Sequence, residues 1–271
     1  MADTITFGGA LTVNRLGFGA MRIMGSDDPV ALVRRVVEAG VDFIDTADMY
    51  GMGRSETLIA DALHPYPDGL VIATKAGFDG EGPMVNGSRP PKGRPEDLRA
   101  ACDGSLARLR VDRIDLYQLH APDPSVAYED QIGALVELRE AGKIAHIGIS
   151  NVGRKHIAQA TAVSPIVSVQ NRYSPLDRSS ERVLEMCEEQ GIAFLPWGPI
   201  QIGGQEVVAA VAARHGVTPQ AVSLAWLLAR SPVMLPIPGT SKIEHLEENL
   251  AARDLRLTDQ DLAELGALAP A

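Results

Sequence analysis

The stretch Glu38-Ala39-Gly40-Val41-Asp42-Phe43-Ile44 joins a helix-ending glycine directly to an apolar run. Glycine is favoured after the last helical turn because it adopts the left-handed conformation without a Cβ clash. The same order recurs in Glu140-Ala141-Gly142 before 144–147 and in Glu189-Gln190-Gly191 before 192–195. Helices that alternate in this way with apolar strands predict a parallel sheet.

Short apolar segments supply the strands of this predicted sheet, and helical patterns lie between them. The predicted strands are Leu16–Gly19, Phe43–Asp45, Val71–Lys75, Ile114–His120, Ile147–Ser150, Val167–Gln170, Ala193–Pro196 and Val233–Pro236, and the clearest helices are Pro29–Ala39, Pro95–Leu109, Tyr128–Ala141, Ser180–Gln190 and Pro219–Ala229. About eight strands predict an α/β fold, the (β/α)8 TIM barrel. Thr4–Phe7 and Leu11–Val13 predict an N-terminal hairpin. An open, doubly wound sheet stays the alternative, because it gives the same alternation.

The length and composition favour one domain spanning residues 1–271. The chain has 271 residues and 45% hydrophobic residues, and barrels of this kind run to about 250 residues. No linker or low-complexity segment divides it, and Asp79–Arg94 is the longest predicted loop.

The charge and cysteine content narrow the possible partners. A formal net charge of -10 disfavours nucleic acid and anionic membranes as general partners. Two cysteines without a CxxC motif disfavour a disulfide framework, and the histidines lack metal-ligand spacing. No apolar run approaches the ~20 residues of a membrane span, and no leader is visible. We therefore expect a cytoplasmic protein without a metal, as a monomer or weak homo-oligomer.

Three successive predicted strands end in residues that perform proton chemistry, namely Asp45, Lys75 and His120. The carboxyl ends of barrel strands meet at one rim, where active sites are built. Tyr50 follows Asp45 by five residues, on a loop able to return over that rim. A lysine ammonium is expected to lower the pKa of the phenol, and a carboxylate to hold that lysine.

These residues lie in segments that resemble the aldo-keto reductase family. The stretch Phe43-Ile44-Asp45-Thr46-Ala47-Asp48-Met49-Tyr50-Gly51, with Lys75 and His120 following, resembles the family signature. Gly148-Ile149-Ser150-Asn151 looks like its nicotinamide-amide site, and the segment from Ile237 to Asn249 like its adenosine-phosphate site. The resemblance covers nearly the whole chain in the family's order.

The resemblance implies an NADPH-dependent reductase of a small carbonyl substrate. Tyr50 is implied to be the general acid, Lys75 and Asp45 its tuners, and His120 the group that orients the carbonyl. The implied NADPH contacts are Ser150, Asn151 and Gln170 at the carboxamide, Trp197 stacked on the nicotinamide, Gly198, Pro199 and Ile200 along the pyrophosphate, and Gly239, Thr240, Ser241, Lys242, His245, Glu248 and Asn249 at the adenosine phosphate. Met21 and Arg22 are expected beside both cofactor and substrate, and Met49, the loop Asp79–Arg94 and Gln201–Gly204 are expected on the substrate side.

Two details refine the resemblance. Many family members carry arginine where His245 stands, and histidine lacks the fixed bidentate fork that binds phosphate. The expected preference for NADPH over NADH therefore depends mainly on Thr240, Ser241 and Lys242. The run from Val13 to Arg22 looks like the bacterial branch that includes pyridoxal reductases, which makes pyridoxal the specific substrate expected.

Two other functions stay open on the same barrel. A lyase or aldolase would use Lys75 as a Schiff-base nucleophile, which requires a depressed lysine pKa. A non-catalytic regulatory subunit would bind NADPH without turnover. The intact set of Asp45, Tyr50, Lys75 and His120 favours the reductase over both.

Overall fold

The computed structural model describes residues 4–9, 11–80, 89–202 and 204–268. The strands are β1 Thr4–Phe7, β2 Leu11–Asn14, β3 Phe18–Gly19, β4 Phe43–Asp45, β5 Val71–Ala76, β6 Ile114–Leu119, β7 Ile144–Ser150, β8 Ser168–Arg172 and β9 Ala193–Trp197. The helices are α1 Pro29–Glu38, α2 Arg54–Leu63, α3 Pro95–Leu109, α4 Tyr128–Glu140, α5 Arg154–Val163, α6 Glu181–Gln190, α7 Glu206–His215, α8 Pro219–Arg230, α9 Ile243–Leu250 and α10 Asp259–Gly266. The five clearest predicted helices and the hairpin are present.

Strands β3 to β9 form one parallel sheet in chain order, and β1 and β2 form a separate antiparallel pair. Each helix-ending glycine of the recurring pattern has a positive φ, +80° at Gly40, +74° at Gly142 and +65° at Gly191. The glycines therefore end their helices in the left-handed conformation that the pattern predicts.

An extended segment, residues 233–238, occupies the eighth position of the barrel. On one side it bonds to β9, where Phe194 N donates to the carbonyl oxygen of Val233 at 2.8 Å. On the other side Gly17 N and Gly19 N donate to the carbonyl oxygens of Pro236 and Pro238 at 2.9 and 3.1 Å. The segment thus joins both edges of the sheet, which gives the (β/α)8 barrel and excludes the open sheet.

The prediction of a regular strand at Val233–Pro236 is nevertheless wrong. In the described part of the chain, this segment makes one isolated bridge, between Met234 and Phe194. Pro236 and Pro238 have no N–H group to donate, so a continuous ladder cannot form there. Their carbonyl groups still accept hydrogen bonds, and those bonds close the barrel.

Two apolar clusters lie on the two faces of the sheet. One face packs against the surrounding helices through side chains such as Ile44, Ile72 and Phe194. The other fills the barrel interior with Phe43, Ala73, Leu116, Leu195 and their neighbours, together with Phe7 from the hairpin. The rings of Phe7 and Phe43 meet edge to face with centroids 6.2 Å apart. The hairpin therefore covers the amino-terminal end of the barrel, opposite the rim that carries the polar residues.

Candidate active site

The period of two along each strand places the polar residues at the carboxyl end of the barrel interior. Asp45 lies two residues after the interior Phe43, and Lys75 lies two after the interior Ala73. Gln118 and His120 continue the alternation that begins at Leu116 on β6. Adjacent strands therefore bring these side chains together above the apolar interior.

Lys75 is the centre of the resulting hydrogen-bond network. Its Nζ atom donates to Asp45 Oδ2 and to the carbonyl oxygen of Thr46, each at 2.7 Å, and lies 3.4 Å from Tyr50 Oη. The lysine side chain is fully buried and that of Asp45 is 3% exposed. Burial acts to lower the pKa of Lys75, but the charges of Asp45 and Tyr50 raise it above its ordinary value. Lys75 is therefore a buried ammonium ion at neutral pH.

The second carboxylate oxygen of Asp45 is held by two amides. Gln118 Nε2 donates to Asp45 Oδ1 at 3.1 Å, and Gln170 Nε2 donates to the same atom at 2.9 Å. The sequence interpretation placed Gln170 at the cofactor and did not include Gln118. The sequence feature that points to Gln118 is its position two residues before His120, which places both side chains on the same face of one strand. The two amides satisfy a buried carboxylate that would otherwise be costly to desolvate.

Tyr50 reaches this network from the turn after β4. Its backbone N–H bonds to Ala47 at 3.1 Å, which begins the turn, and α2 starts four residues later at Arg54. Burial raises the pKa of the Tyr50 phenol, and the nearby Lys75 ammonium offsets only part of that rise. The predicted lowering of this pKa is therefore wrong, because desolvation of the phenolate outweighs the attraction of the lysine.

His120 lies against both Tyr50 and Phe78. The His120 ring meets Phe78 edge to face at a centroid distance of 4.7 Å, and Tyr50 at 6.1 Å. Burial lowers the pKa of His120 well below its ordinary value, and the Lys75 ammonium lowers it further. The imidazole is therefore neutral at neutral pH. Its Nδ1 atom is buried with no hydrogen-bond partner among the described residues.

Asp48 is a second acidic group beside Lys75. Its backbone N–H donates to the carbonyl oxygen of Lys75 at 3.0 Å, and its Oδ1 atom is buried with no hydrogen-bond partner in the described part of the chain. Burial is the main cause that raises the pKa of Asp48 to about 7, and the negative charge of the Glu56 carboxylate is the second cause. Glu56 is itself fully buried, where it accepts from Thr74 at 2.6 Å and from Arg108 at 2.7 Å.

The residues expected at the carboxamide form a connected group on β7, β8 and β9. Ser150 Oγ donates to the carbonyl oxygen of Gln170 at 2.7 Å, and Asn151 Nδ2 donates to the carbonyl oxygen of His120 at 2.9 Å. Trp197 Nε1 donates to Asn151 Oδ1 at 3.1 Å. Asn151 adopts a φ of +57°, a left-handed conformation that asparagine tolerates better than most residues. The group presents uncharged donors and acceptors beside an indole ring.

One cavity of about 490 Å³ connects this group to the proposed catalytic residues. Its lining contains Asp45, Tyr50, His120, Ser150, Asn151, Gln170, Trp197, Gly198, Pro199, Ile200, Gly239, Met21 and Arg22 from the predicted catalytic and cofactor residues. From the segments expected on the substrate side it contains Met49, Arg89 and Gln201, and in addition it contains Gly19, Phe78 and Ile237. Gly203 lies outside the described residues. Lys75 does not line the cavity itself. It lies behind Asp45 and Tyr50, which line the cavity and contact the lysine amine. Of the predicted loop Asp79–Arg94, residues 81–88 lie outside the described residues.

The residues expected at the adenosine phosphate lie beyond this lining, in the loop before α9 and on α9 itself. Lys242 N bonds to Thr240 Oγ1 at 3.1 Å, and Ser241 lies between them. Lys242, His245 and Glu248 are exposed, and Asn249 is buried. Gly239 lines the cavity, and Thr240 follows it directly in the loop that leads to the positive end of α9.

Comparison with known proteins identifies the family of this site. A model of the aldo/keto reductase family matches residues 15–270. The chain belongs to the aldo/keto reductase family. An oxidoreductase of Schizosaccharomyces pombe is 43% identical over 270 residues, which cover 95% of this chain and 87% of that protein. Pyridoxine 4-dehydrogenase of Escherichia coli is 37% identical over 289 residues, which cover 98% of each chain.

Solved structures of aldo-keto reductases share the fold over nearly the whole chain. A thermostable aldo-keto reductase in complex with the inhibitor epalrestat is 30% identical, with a TM-score of 0.87 over 99% of this chain and 100% of that chain. An aldo-keto reductase from Klebsiella pneumoniae in complex with NADPH is 26% identical, with a TM-score of 0.85 over 100% of this chain and 97% of that chain. The predicted family, barrel and oxidoreductase class are confirmed. Among the described residues, no helix is both long and apolar enough to cross a membrane.

Proposed function

We propose that this aldo/keto reductase uses NADPH to reduce an aldehyde or ketone, with Tyr50 as the general acid. The observation that carries the proposal is the position of Lys75, whose amine contacts Asp45 at 2.7 Å and Tyr50 at 3.4 Å. Tyr50 and His120 line the same cavity, so both are available to one carbonyl oxygen.

The residues present fit a nicotinamide cofactor. Ser150, Asn151 and Gln170 offer hydroxyl and amide groups that match a carboxamide, and the half-exposed Trp197 offers a flat apolar surface. The lining continues through Gly198, whose φ is +65°, and Gly239, where small residues leave room for a phosphate chain. When bound, NADPH supplies a hydride to the carbonyl carbon.

The chain supplies the proton and the electrostatic environment. The phenol of Tyr50 is protonated at neutral pH, since its ordinary pKa of 10.0 is already well above 7 and burial raises it further, so it holds the proton that the substrate oxygen receives. Neutral His120 directs that oxygen by a hydrogen bond. As the proton leaves, the Lys75 ammonium stabilises the phenolate that forms, and the Gln118 and Gln170 amides keep Asp45 oriented toward the lysine.

A Schiff-base reaction at Lys75 is not supported. A lysine nucleophile must lose its proton, but the pKa of Lys75 is raised by Asp45 and Tyr50. The amine is also fully buried behind two strong hydrogen bonds, which leaves no approach for a substrate carbonyl. A non-catalytic role would not require Tyr50 and His120 to line a cavity beside this ion pair, so we favour the reductase.

Pyridoxal is the specific substrate that we propose to test first, since the Escherichia coli relative is named pyridoxine 4-dehydrogenase. A cytoplasmic location and a monomer or weak oligomer remain predictions. The decisive experiment follows NADPH oxidation with pyridoxal, methylglyoxal, aromatic aldehydes and ketosteroids. Turnover of at least one carbonyl supports the proposal. NADPH binding without turnover of any of them, or borohydride trapping of substrate on Lys75, contradicts it.

A further inference from the structure

Arg172 and Trp197 lie opposite each other at the carboxyl ends of two neighbouring strands. They are register partners in the parallel pair of β8 and β9. Arg172 follows Gln170 by two residues on β8, and Gln170 lines the cavity. Trp197 follows Leu195 by two residues on β9, and Leu195 belongs to the interior cluster. Since side chains alternate between the two faces along a strand, Arg172 and Trp197 both leave the sheet on its interior face.

The guanidinium of Arg172 joins three side chains at this rim. Its Nε atom lies 3.1 Å from Asp177 Oδ2, its Nη2 atom donates to Gln201 Oε1 at 3.2 Å, and its Cζ atom lies over the Trp197 ring at 5.7 Å from the centroid. A cation in this position is attracted by the electron-rich face of the indole. Trp197 and Gln201 line the cavity and Arg172 does not, so the guanidinium supports the indole from outside the cavity.

Asp177 fixes the guanidinium in the loop after β8. Its Oδ1 atom accepts from the backbone N–H and the hydroxyl of Ser179 at 3.1 and 2.6 Å. Its backbone N–H donates to the carbonyl oxygen of Ser174 at 3.2 Å, and an isolated antiparallel bridge joins these two residues. The hydrogen bond from the Ser179 hydroxyl is the main cause that lowers the pKa of Asp177, so the carboxylate is ionised at neutral pH. Arg172 is therefore held by a charged partner that is itself fixed.

Gln201 ends the turn that follows Trp197. Its backbone N–H donates to the carbonyl oxygen of Gly198 at 3.1 Å. Its side chain folds back over the same glycine, where an added Cβ would lie 3.1 Å from the Cδ atom of Gln201. Residues 198–200 of this turn are those proposed along the pyrophosphate of the cofactor. The bond from Arg172 to Gln201 thus ties the turn and the indole to one guanidinium.

We propose that Arg172 is a positioning residue for the nicotinamide half of the cofactor, which it serves by holding Trp197 and Gln201 in place beside the cavity. The inference rests on the proposed NADPH site. The indole is fixed at its edge by the bond from Trp197 Nε1 to Asn151 Oδ1 at 3.1 Å, and Arg172 fixes its face. An indole that is already ordered loses less freedom when a flat ring stacks on it, so its preorganisation increases affinity.

Arg172→Gln removes the cation and tests this assignment by calorimetric measurement of binding. The dissociation constants for NADPH and NADH should each rise by about three- to tenfold and by the same factor, since the two nicotinamide halves are identical. Adenosine 2′,5′-bisphosphate lacks that half, and its affinity should change by less than about twofold. Arg172→Lys keeps the charge but lacks the planar fork that reaches both Asp177 and Gln201, so it should recover only part of the loss.

Tryptophan fluorescence reports the same contact in the protein without cofactor. Arg172→Gln should move the emission of Trp197 to longer wavelength and increase its quenching by acrylamide, because water reaches the ring face that the guanidinium covers. The chain has two tryptophans, and in a Trp197→Phe background only the buried Trp226 emits. In that background Arg172→Gln should leave the emission unchanged.

A second arginine–indole pair supplies the matched control. Arg178 lies over the Trp226 ring at 4.7 Å, and neither residue lines the cavity. Arg178→Gln should therefore leave the affinities for NADPH and NADH unchanged.

Three results overturn the proposal: affinities for NADPH that do not depend on Arg172, an equal loss of affinity for adenosine 2′,5′-bisphosphate in Arg172→Gln, or an unchanged Trp197 emission. Carbonyl reduction by the wild type together with any of these leaves the reductase intact. A wild type that binds neither NADPH nor NADH contradicts the proposed function itself, and the inference with it. A loss confined to the two nicotinamide cofactors supports the positioning role even if no carbonyl is reduced.

Discussion

The amine of Lys75 lies 3.4 Å from the hydroxyl of Tyr50, although the two residues belong to different segments of the barrel rim. The contact exists because β4 and β5 are parallel neighbours, so that the turn after one strand passes over the end of the other. Asp45 holds the lysine in place through a hydrogen bond of 2.7 Å. A phenol is thereby placed between a fixed positive charge and an open cavity.

Replacement of the phenol isolates its role as an acid. Tyr50→Phe removes only the hydroxyl, and should lower kcat for carbonyl reduction by about 10²- to 10⁴-fold, the usual contribution of a positioned acid. The dissociation constant for NADPH, measured by fluorescence, should change by less than about threefold, since the ring still fills its place. Tyr66→Phe is the control, because that hydroxyl donates to the carbonyl oxygen of Leu109 at 2.8 Å and Tyr66 does not line the cavity. Full activity in Tyr50→Phe would remove Tyr50 from the reaction.

The sequence predicted most of this arrangement because strand-end residues and their period of two are local features. Asp45, Lys75 and His120 could be placed at one rim from the order of the strands alone. The sequence also located the eighth segment, but not that it lacks a regular ladder, since that depends on the tertiary hydrogen bonds from Gly17 and Gly19 to Pro236 and Pro238. The sequence also does not predict whether the pKa of Tyr50 is raised or lowered, because that depends on how completely the phenol is buried. Gln118 carries no motif of its own, and its position on the same strand face as His120 does not reveal that it binds Asp45.

The buried ion pair should govern stability as well as catalysis. Asp45→Asn leaves the Lys75 ammonium buried without its counter-charge, and should lower the free energy of unfolding by about 3–5 kcal/mol. The double variant Asp45→Asn/Lys75→Met replaces the ammonium with an apolar side chain of similar size, and should recover much of that loss. Urea unfolding monitored by tryptophan fluorescence measures both. If the two substitutions destabilise additively, the pair does not act as a unit.

Lys242 should discriminate between the two nicotinamide cofactors. An exposed lysine beside a phosphate contributes up to about 1 kcal/mol, so Lys242→Ala should raise the dissociation constant for NADPH by about fivefold and leave that for NADH unchanged. Lys155→Ala, which removes the same charge from an exposed position on α5, is the control. Higher salt should reduce the effect, because it screens exposed charges. Equal effects on NADPH and NADH would place the 2′-phosphate elsewhere.

Asp48 should make stability depend on pH near neutrality. Its pKa is about 7 in the folded protein, against an ordinary value of 3.8. The folded state therefore retains a proton that the unfolded state releases between these values, so the contribution of Asp48 to stability is complete below about pH 4 and is lost as the pH rises through 7. Asp48→Asn cannot ionise and should avoid this loss.

The comparison of Asp48→Asn with wild type at two pH values measures that contribution. Between pH 5 and pH 8 wild type should lose on the order of 2 to 4 kcal/mol more free energy of unfolding than Asp48→Asn does. This magnitude follows from about 1.4 kcal/mol for each unit by which the folded and unfolded pKa values differ. Asp103→Asn, on the exposed face of α3, is the control and should show no comparable change. A constant difference between Asp48→Asn and wild type across this range would mean that Asp48 is already ionised at pH 5, and that Lys75 and Arg108 together stabilise its charge more than burial disfavours it.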